Sequence, residues 1–282
     1  MCCFRTICVV HHLEVLARLP ARLAAQLQIA LAGEHSLTFV DGWGALLLAI
    51  RERPVDLVVL DPRTVGGLEL GQARELLAMH PTLPVVIYTT VAADSMQATV
   101  MLAKLGVQHV VLRGFDDEPR RFRQMLDQLP AARLSNSVLD HVLPHIQDAP
   151  VMFVRAITRL FEAPQDFVDV DELARASGMT RRSLDRWFYR SGLTSARTMI
   201  LVARLTRAKH YMGDPGFLLE DIAKKLGYSS IRRFARQVRA ATGMTPSTMR
   251  SSFTTEEFTT RMAALVCRPQ DGSSEWEMAL DD

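Results

Sequence analysis

The C-terminal third of the chain reads Val170-Asp-Glu-Leu-Ala-Arg-Ala-Ser-Gly-Met-Thr-Arg-Arg-Ser-Leu-Asp-Arg-Trp-Phe188, and this stretch decides the fold of that region. The small Ala174 lies four residues before Gly178, a spacing typical of two short helices that pack closely around a tight turn. Leu184 and Phe188 are also four residues apart, so they share one apolar helix face. The stretch predicts a helix-turn-helix unit with its second helix at residues 181–190.

The same arrangement recurs about 50 residues later. Ala223 and Gly227 are again four residues apart, and Phe234 with Val238 forms the apolar face of the second helix. Ser229 is expected to cap that helix, because a serine oxygen can accept from free N–H groups at a helix start. A second helix-turn-helix unit is therefore predicted.

Residues 195–212, between the two units, are mostly good helix formers. A helix of that length measures about 27 Å. Successive major grooves on one face of DNA are about 34 Å apart. The spacer therefore predicts two recognition helices held side by side, near the separation of two grooves.

The charge is unevenly distributed along the chain. Residues 1–150 contain 13 basic and 15 acidic side chains, whereas residues 151–268 contain 20 basic and 11 acidic ones. Residues 269–282 contain five acids and no base, and we expect this acidic tail to be disordered. A basic segment next to neutral or acidic ones is typical of a polyanion-binding domain.

The first 130 residues alternate between short apolar runs and helical stretches. Runs rich in Val, Ile and Leu with little polar alternation are typical of strands buried on both faces of a parallel sheet. Five βα units predict an α/β domain with a doubly wound five-stranded parallel sheet. The predicted strands are residues 6–10, 37–40, 57–60, 85–88 and 107–112.

After residue 130 the strand pattern ends. Residues 131–150 contain two of the chain's prolines and several polar residues, and they predict a helical or irregular connector. From residue 151 to 268 nearly all of the sequence predicts helix. We therefore expect an α/β domain at 1–130, a connector at 131–150, an all-α domain with two helix-turn-helix units at 151–268, and the tail.

Residues 166–253 resemble the DNA-binding domain of the AraC/XylS family. The opening stretch above carries the resemblance, together with Asp221-Ile-Ala-Lys-Lys-Leu-Gly-Tyr-Ser229 and Thr242-Gly-Met-Thr-Pro-Ser-Thr-Met-Arg250. The resemblance implies base contacts from Arg182, Asp185 and Arg186 in the first unit. In the second unit it implies base contacts from the residues at positions 231, 232, 235 and 236.

The side chains at these positions have the matching chemistry. Arginine can bond to both acceptors of guanine, aspartate can accept from cytosine, and Ile231 and Ala235 could contact a thymine methyl group. Arg239 is suited to a phosphate. The predicted DNA-contacting residues are Arg181, Arg182, Asp185, Arg186, Arg190, Ser230, Ile231, Arg232, Arg233, Ala235, Arg236 and Arg239. Trp187, Phe188 and Phe234 are expected in the core.

The N-terminal 130 residues resemble a response-regulator receiver. Asp61 ends the third predicted strand, at the family's phosphoacceptor position, and Thr89 ends the fourth, at its hydroxyl position. The resemblance implies that a divalent cation bound by an acidic pair after the first strand assists phosphorylation. This sequence has His11 and His12 there, and Mg²⁺ prefers oxygen ligands.

Other receiver features are also changed. Arg113, followed by Gly114, replaces the expected lysine and proline, and Val110 replaces the aromatic switch residue. We therefore predict a degenerate receiver, a pseudo-receiver, in which Asp61 is paired structurally, for example with Arg113. The degenerate pocket comprises His11, His12, Asp61, Thr89 and Arg113. No catalytic residue, metal site or cofactor is predicted.

The sequence thus predicts a sequence-specific transcriptional regulator that binds double-stranded DNA, with a homodimer as its expected state. RNA polymerase, a regulatory protein or a small-molecule signal are further candidate partners. A phosphorylation-dependent response regulator using Asp61 remains the alternative. No apolar run is long enough to span a membrane and no leader pattern begins the sequence, so a cytoplasmic location is expected.

Overall fold

The computed structural model describes residues 13–31, 35–64, 69–118, 125 and 130–267. Its N-terminal region contains one five-stranded sheet, formed by β1 (Glu14–Arg18), β2 (Ser36–Phe39), β3 (Leu57–Leu60), β4 (Val85–Thr89) and β5 (His109–Leu112). All neighbouring strands are parallel and lie in the order β2-β1-β3-β4-β5. This is the flavodoxin-like, doubly wound order, as the fold class predicted from the sequence requires.

The strands contribute side chains to two apolar cores, because successive side chains point to opposite faces of a sheet. Leu16 and Val58 lie in one core, whereas Val15 and Val59 lie in the other with Leu27 of the first helix. The helices of this region are α1 (Ala21–Ala30), α2 (Trp43–Glu52), α3 (Glu69–Met79) and α4 (Ala93–Lys104). Burial on both faces explains why β3 and β4 read as continuous apolar runs.

The first strand differs from its predicted position. Residues 6–10 lie outside the described residues, and the first described strand is β1, which pairs with both β2 and β3. The apolar run of β1 is only three residues long, between Glu14 and Arg18. The sequence pattern therefore did not predict this strand. His11 and His12 also lie outside the described residues, and they precede β1 instead of following it. In the sequence they therefore do not follow the first strand that the structure describes.

The described C-terminal region consists mainly of helices, joined by short turns and one isolated antiparallel bridge between Leu193 and Cys267. Its helices are α5 (Pro130–Val142), α6 (Val151–Glu162), α7 (Val170–Ala176), α8 (Arg181–Arg190), α9 (Ala196–Met212), α10 (Leu219–Lys225), α11 (Ile231–Thr242), α12 (Pro246–Ser252) and α13 (Thr255–Val266). The long α9 is buried around nearly its whole circumference, with only Arg197 exposed and Lys209 half-buried. A helix buried on all sides is the centre of its region.

The segment expected to be a connector is mostly ordered helix. Helix α5 packs against α9 and α13, and its Val138 and Val142 are fully buried in the same core. A short 3-10 helix, Leu143–Ile146, follows it. Among the described residues no helix is long and apolar enough to cross a membrane.

The two regions are packed against each other at the amino-terminal edge of the sheet. Arg207 of α9 forms a buried ion pair with Asp56, the residue before β3, and also donates to the carbonyl of Glu162. The Asp214 carboxylate accepts from the N–H of Thr82, at 2.7 Å. The two regions therefore share buried polar contacts and a continuous apolar cluster.

Candidate nucleic-acid interface and N-terminal pocket

The first helix-turn-helix unit consists of α7 and α8, and the structure gives α8 the predicted bounds. The Asp169 carboxylate caps α7 by accepting from the N–H of Glu172, at 2.9 Å. The Thr180 hydroxyl caps α8 by accepting from Ser183. Gly178 has a φ of +63°, a left-handed conformation that favours glycine and makes the turn between the helices.

The second unit consists of α10 and α11. Gly227 takes the same left-handed role, with a φ of +76°. The cap of α11 is Ser230, which accepts from the N–H of Arg233, so the predicted cap Ser229 is wrong by one residue. The turn of this unit is one residue longer than that of the first, which moves the cap along the chain. At the start of α10, the Asp221 carboxylate accepts from the N–H of Leu218.

The two recognition helices, α8 and α11, separate buried from exposed faces clearly. Leu184 and Phe188 of α8 and Phe234 and Val238 of α11 are buried, which confirms their prediction as core. Trp187 is half-buried and lies 6.4 Å from the Phe153 ring. The opposite faces are open to solvent and rich in arginine.

The structure places the predicted DNA-contacting side chains on these open faces. All are exposed except Ile231 and Ala235, which are half-buried. The exposed members are Arg181, Arg182, Asp185, Arg186, Arg190, Ser230, Arg232, Arg233, Arg236 and Arg239. Asp171 and Arg181 lie 3.6 Å apart, but both are mostly exposed, so solvent screens the pair. The face keeps a strong positive charge.

Sequence reasoning missed two arginines that lie between the units. Arg197 and Arg204 belong to α9, which had been interpreted only as a spacer. Arg204 is buried; its Nη2 donates to the Phe167 carbonyl at 2.8 Å, and its guanidinium lies 5.5 Å from the Tyr228 ring centre. Burial lowers the pKa of Arg204, and the charge of Arg233 lowers it further. No sequence periodicity marks a buried arginine inside an apolar helix.

In the N-terminal region, Asp61 is fully buried at the carboxyl edge of the sheet. The Arg63 Nε lies 3.3 Å from both carboxylate oxygens, its Nη2 donates to Oδ2 at 2.9 Å, and its backbone N–H donates to Oδ1 at 3.0 Å. Hydrogen bonding to Asp61 raises the pKa of Arg63. We predicted Arg113 as the partner of Asp61, but the structure gives this role to Arg63.

The surroundings of Asp61 differ in other ways from those predicted. Arg18, at the end of β1, donates to Glu69 at 2.9 Å, so a basic group stands at the end of the strand after which an acidic pair was expected. The Thr89 hydroxyl is buried and, within the described part of the chain, has no hydrogen-bond partner. Arg113 donates its backbone N–H to the Thr89 carbonyl. Among the described residues no three His, Cys, Asp or Glu side chains are grouped to hold a metal ion.

Known proteins support the C-terminal assignment. Residues 173–252 match the family model described as a helix-turn-helix domain. No curated protein matches the chain in sequence. The C-terminal region therefore contains a helix-turn-helix domain, and the N-terminal region has the strand order of a receiver-like fold.

Two solved structures are similar to this chain at low identity. Full-length FixJ from B. japonicum is 16% identical over 69% of this chain and 97% of its own length, with a TM-score of 0.36. NtrX from Brucella abortus is 19% identical over 59% of this chain, with a TM-score of 0.37. The chain spans only 40% of the length of NtrX.

Proposed function

We propose that the protein is a sequence-specific transcriptional regulator whose two helix-turn-helix units read adjacent major grooves of DNA. The observation that carries this proposal is the pair of arginine-rich open faces on α8 and α11, held on either side of the buried helix α9. The 17 residues of α9 correspond to about 26 Å of rigid helix. A rigid spacer of that length suits two grooves about 34 Å apart.

The AraC/XylS resemblance of residues 166–253 supports specific roles for these side chains. Arg182, Asp185 and Arg186 are assigned to base edges in the first groove. Arg232 and Arg236 take the same role in the second, where the half-buried Ile231 and Ala235 offer only apolar contact. Arg239 is assigned to a phosphate. The first unit is therefore expected to specify more of the sequence than the second.

Selection of bound fragments from random duplex DNA tests this function, because it yields the preferred site. On that site, Arg186→Ala should weaken binding by about 1–3 kcal/mol and relax the preference at one base pair. Arg239→Ala should weaken binding to all DNA sequences by the same factor and lower the salt dependence of binding. Arg155→Ala removes an exposed arginine of α6 and serves as the control. A lack of preference among duplex sequences would contradict the proposal.

We also propose that the N-terminal region acts as a pseudo-receiver and controls the protein without phosphorylation. The Arg63 guanidinium binds both carboxylate oxygens of Asp61, and that contact supports this view. A phosphorylated aspartate would need one of those oxygens. The second candidate is a phosphorylation-dependent response regulator using Asp61, supported by the position of that side chain at the end of β3.

We propose that the protein forms a homodimer through α4 and β5. Met96, Val100 and Met101 of α4 and Val110 of β5 are exposed, and Phe115 in the following turn is 68% exposed. Apolar patches of this kind mark association surfaces, and a two-fold pair would place the same face against itself. Val100→Glu should shift sedimentation from dimer to monomer. Leu48→Glu, at an exposed apolar position of α2, should not; equal sedimentation of both variants would contradict this interface.

A further inference from the structure

A cleft lies between the two helix-turn-helix units. Arg181 of α8, Arg197 and Arg204 of α9, and Arg233 with Gln237 of α11 line it. It therefore contains side chains of both recognition helices and of the helix that separates them. Arg181 and Arg233 lie in the first turns of α8 and α11, and the N-terminal ends of recognition helices are the parts that approach DNA.

The charge of this central cleft is positive. Asp169 and Asp171 also line it, but the Asp169 carboxylate accepts from the start of α7 and Asp171 is paired with Arg181. The lining contains four arginines and two aspartates, and one aspartate is paired with one of those arginines, so a net positive charge remains. The cleft is suited to an anion.

The floor of the central cleft supplies a second, independent observation. Arg204 is only 8% exposed, its Nε has no hydrogen-bond partner among the described residues, and no described carboxylate forms an ion pair with it. A buried cation without an ion-pair partner is costly, and the Glu172 charge and the Tyr228 contact offset only part of that cost, so an approaching anion would stabilise it further. The nearby charge of Arg233 adds to this cost, since it is positive as well.

The geometry of duplex DNA indicates which anion would lie next to the central cleft. Two helices in successive major grooves on one face of DNA are separated by a minor groove, and phosphodiester strands border that groove. We propose that the central cleft binds a DNA backbone phosphate between the two sites that are read, with Arg197 and Arg233 contacting it and Arg204 stabilising its charge from below. The proposal rests on the proposed function, because DNA must first occupy both grooves.

A bound phosphate would also fix the register of the two units. Phosphate contacts position a protein on the duplex without reading sequence. A contact at the midpoint holds both recognition helices at once, whereas a contact at either end holds only one. The site should therefore contribute to affinity for every sequence that both units can span.

The experiment uses the full-length protein and its selected DNA site, with one neutral methylphosphonate placed in turn at each backbone position. We expect one or two adjacent substitutions between the two read segments to weaken wild-type binding by roughly tenfold. Arg233→Ala and Arg197→Ala should each weaken binding to unmodified DNA by a similar factor and lower the salt slope by about 1. On DNA with the central methylphosphonate these variants should lose little further affinity, because the modification has already removed the contact between arginine and phosphate.

The outcomes separate this site from the general function. Wild-type protein that prefers its selected sequence but tolerates every central methylphosphonate would overturn the phosphate site and leave the proposed function intact. Additive losses from Arg233→Ala and the methylphosphonate would also overturn it. The control Arg155→Ala should respond to the methylphosphonates as the wild type does. Absence of any sequence preference would instead remove the proposed function itself.

Discussion

The two edges of the N-terminal sheet each bury an aspartate, but they neutralise it differently. At the carboxyl edge, Asp61 is bound by Arg63, two positions along the chain. At the amino edge, Asp56 is bound by Arg207, which is 151 positions away and belongs to the DNA-binding region. Both aspartates are almost completely buried. One pair is local and the other joins the two regions.

The difference shows where the two regions depend on each other. The Asp61 pair requires only the loop after β3, so it can form whether or not the regions are docked. The Asp56 pair exists only while α9 lies against the sheet. Asp56 also accepts from the backbone N–H of Glu14 at 2.9 Å, so it connects β1, β3 and α9. The receiver resemblance implies a functional site at the carboxyl edge of the sheet, whereas the contact between the two regions lies at the amino edge.

Asp56→Ala should have the largest effect, because it leaves the Arg207 guanidinium buried without its counter-charge. Breaking a buried ion pair from one side typically costs about 3–5 kcal/mol. Urea denaturation of the full chain, followed by circular dichroism, would measure this loss. The double variant Asp56→Ala/Arg207→Met removes both charges and should recover part of the stability. A loss below about 1 kcal/mol for Asp56→Ala would show that the pair is not needed for docking.

Lys225 provides a second test of the amino edge. It ends α10, is 3% exposed, and donates from Nζ to the carbonyl oxygens of Ile50 and Arg53 at the end of α2. Burial lowers the pKa of Lys225 to about 7, although Asp221, Asp56 and Asp214 act in the opposite direction. In the unfolded chain the lysine keeps its ordinary value of about 10.4.

The sign of the pH dependence follows from these two pKa values. Below pH 7 both states carry the proton, and between pH 7 and about 10.4 only the unfolded chain keeps it, so stability rises with pH. From pH 7 to pH 9 the wild type should gain about 2 kcal/mol relative to Lys225→Met. Denaturation curves of both proteins at the two pH values measure this difference. Parallel pH profiles would mean that burial does not lower the pKa of Lys225 below its value in the unfolded chain.

The sequence predicted apolar burial well and buried charge poorly. Strands β2, β3 and β4 and helix α8 follow from apolar spacing, and the structure places them within a residue of the predicted bounds. For α11 only the cap and the apolar face were predicted, and its cap lies one residue later than predicted. Strand β1 was missed because charged residues end its short apolar run. The Asp56–Arg207 pair and the burial of Arg204 were not predicted for a related reason. Apolar periodicity indicates which faces of an element are buried, but it does not indicate which charged side chain from a distant part of the sequence packs there. The contact between Arg63 and Asp61 could have been predicted from the sequence, because an arginine two residues after a buried aspartate can fold back onto it.

The carboxyl edge should show the smallest effect, because Arg63 already binds both oxygens of Asp61. Incubation with phosphoramidate and Mg²⁺ should leave the intact protein unphosphorylated by mass spectrometry, and its affinity for the selected DNA site unchanged. Asp61→Asn is the matched control, and it should behave as the wild type does in both measurements. A stable phosphoryl group on wild-type protein that disappears in Asp61→Asn would establish the response-regulator alternative. Regulation would then pass through the carboxyl edge, and the contrast between the two edges would lose its functional meaning.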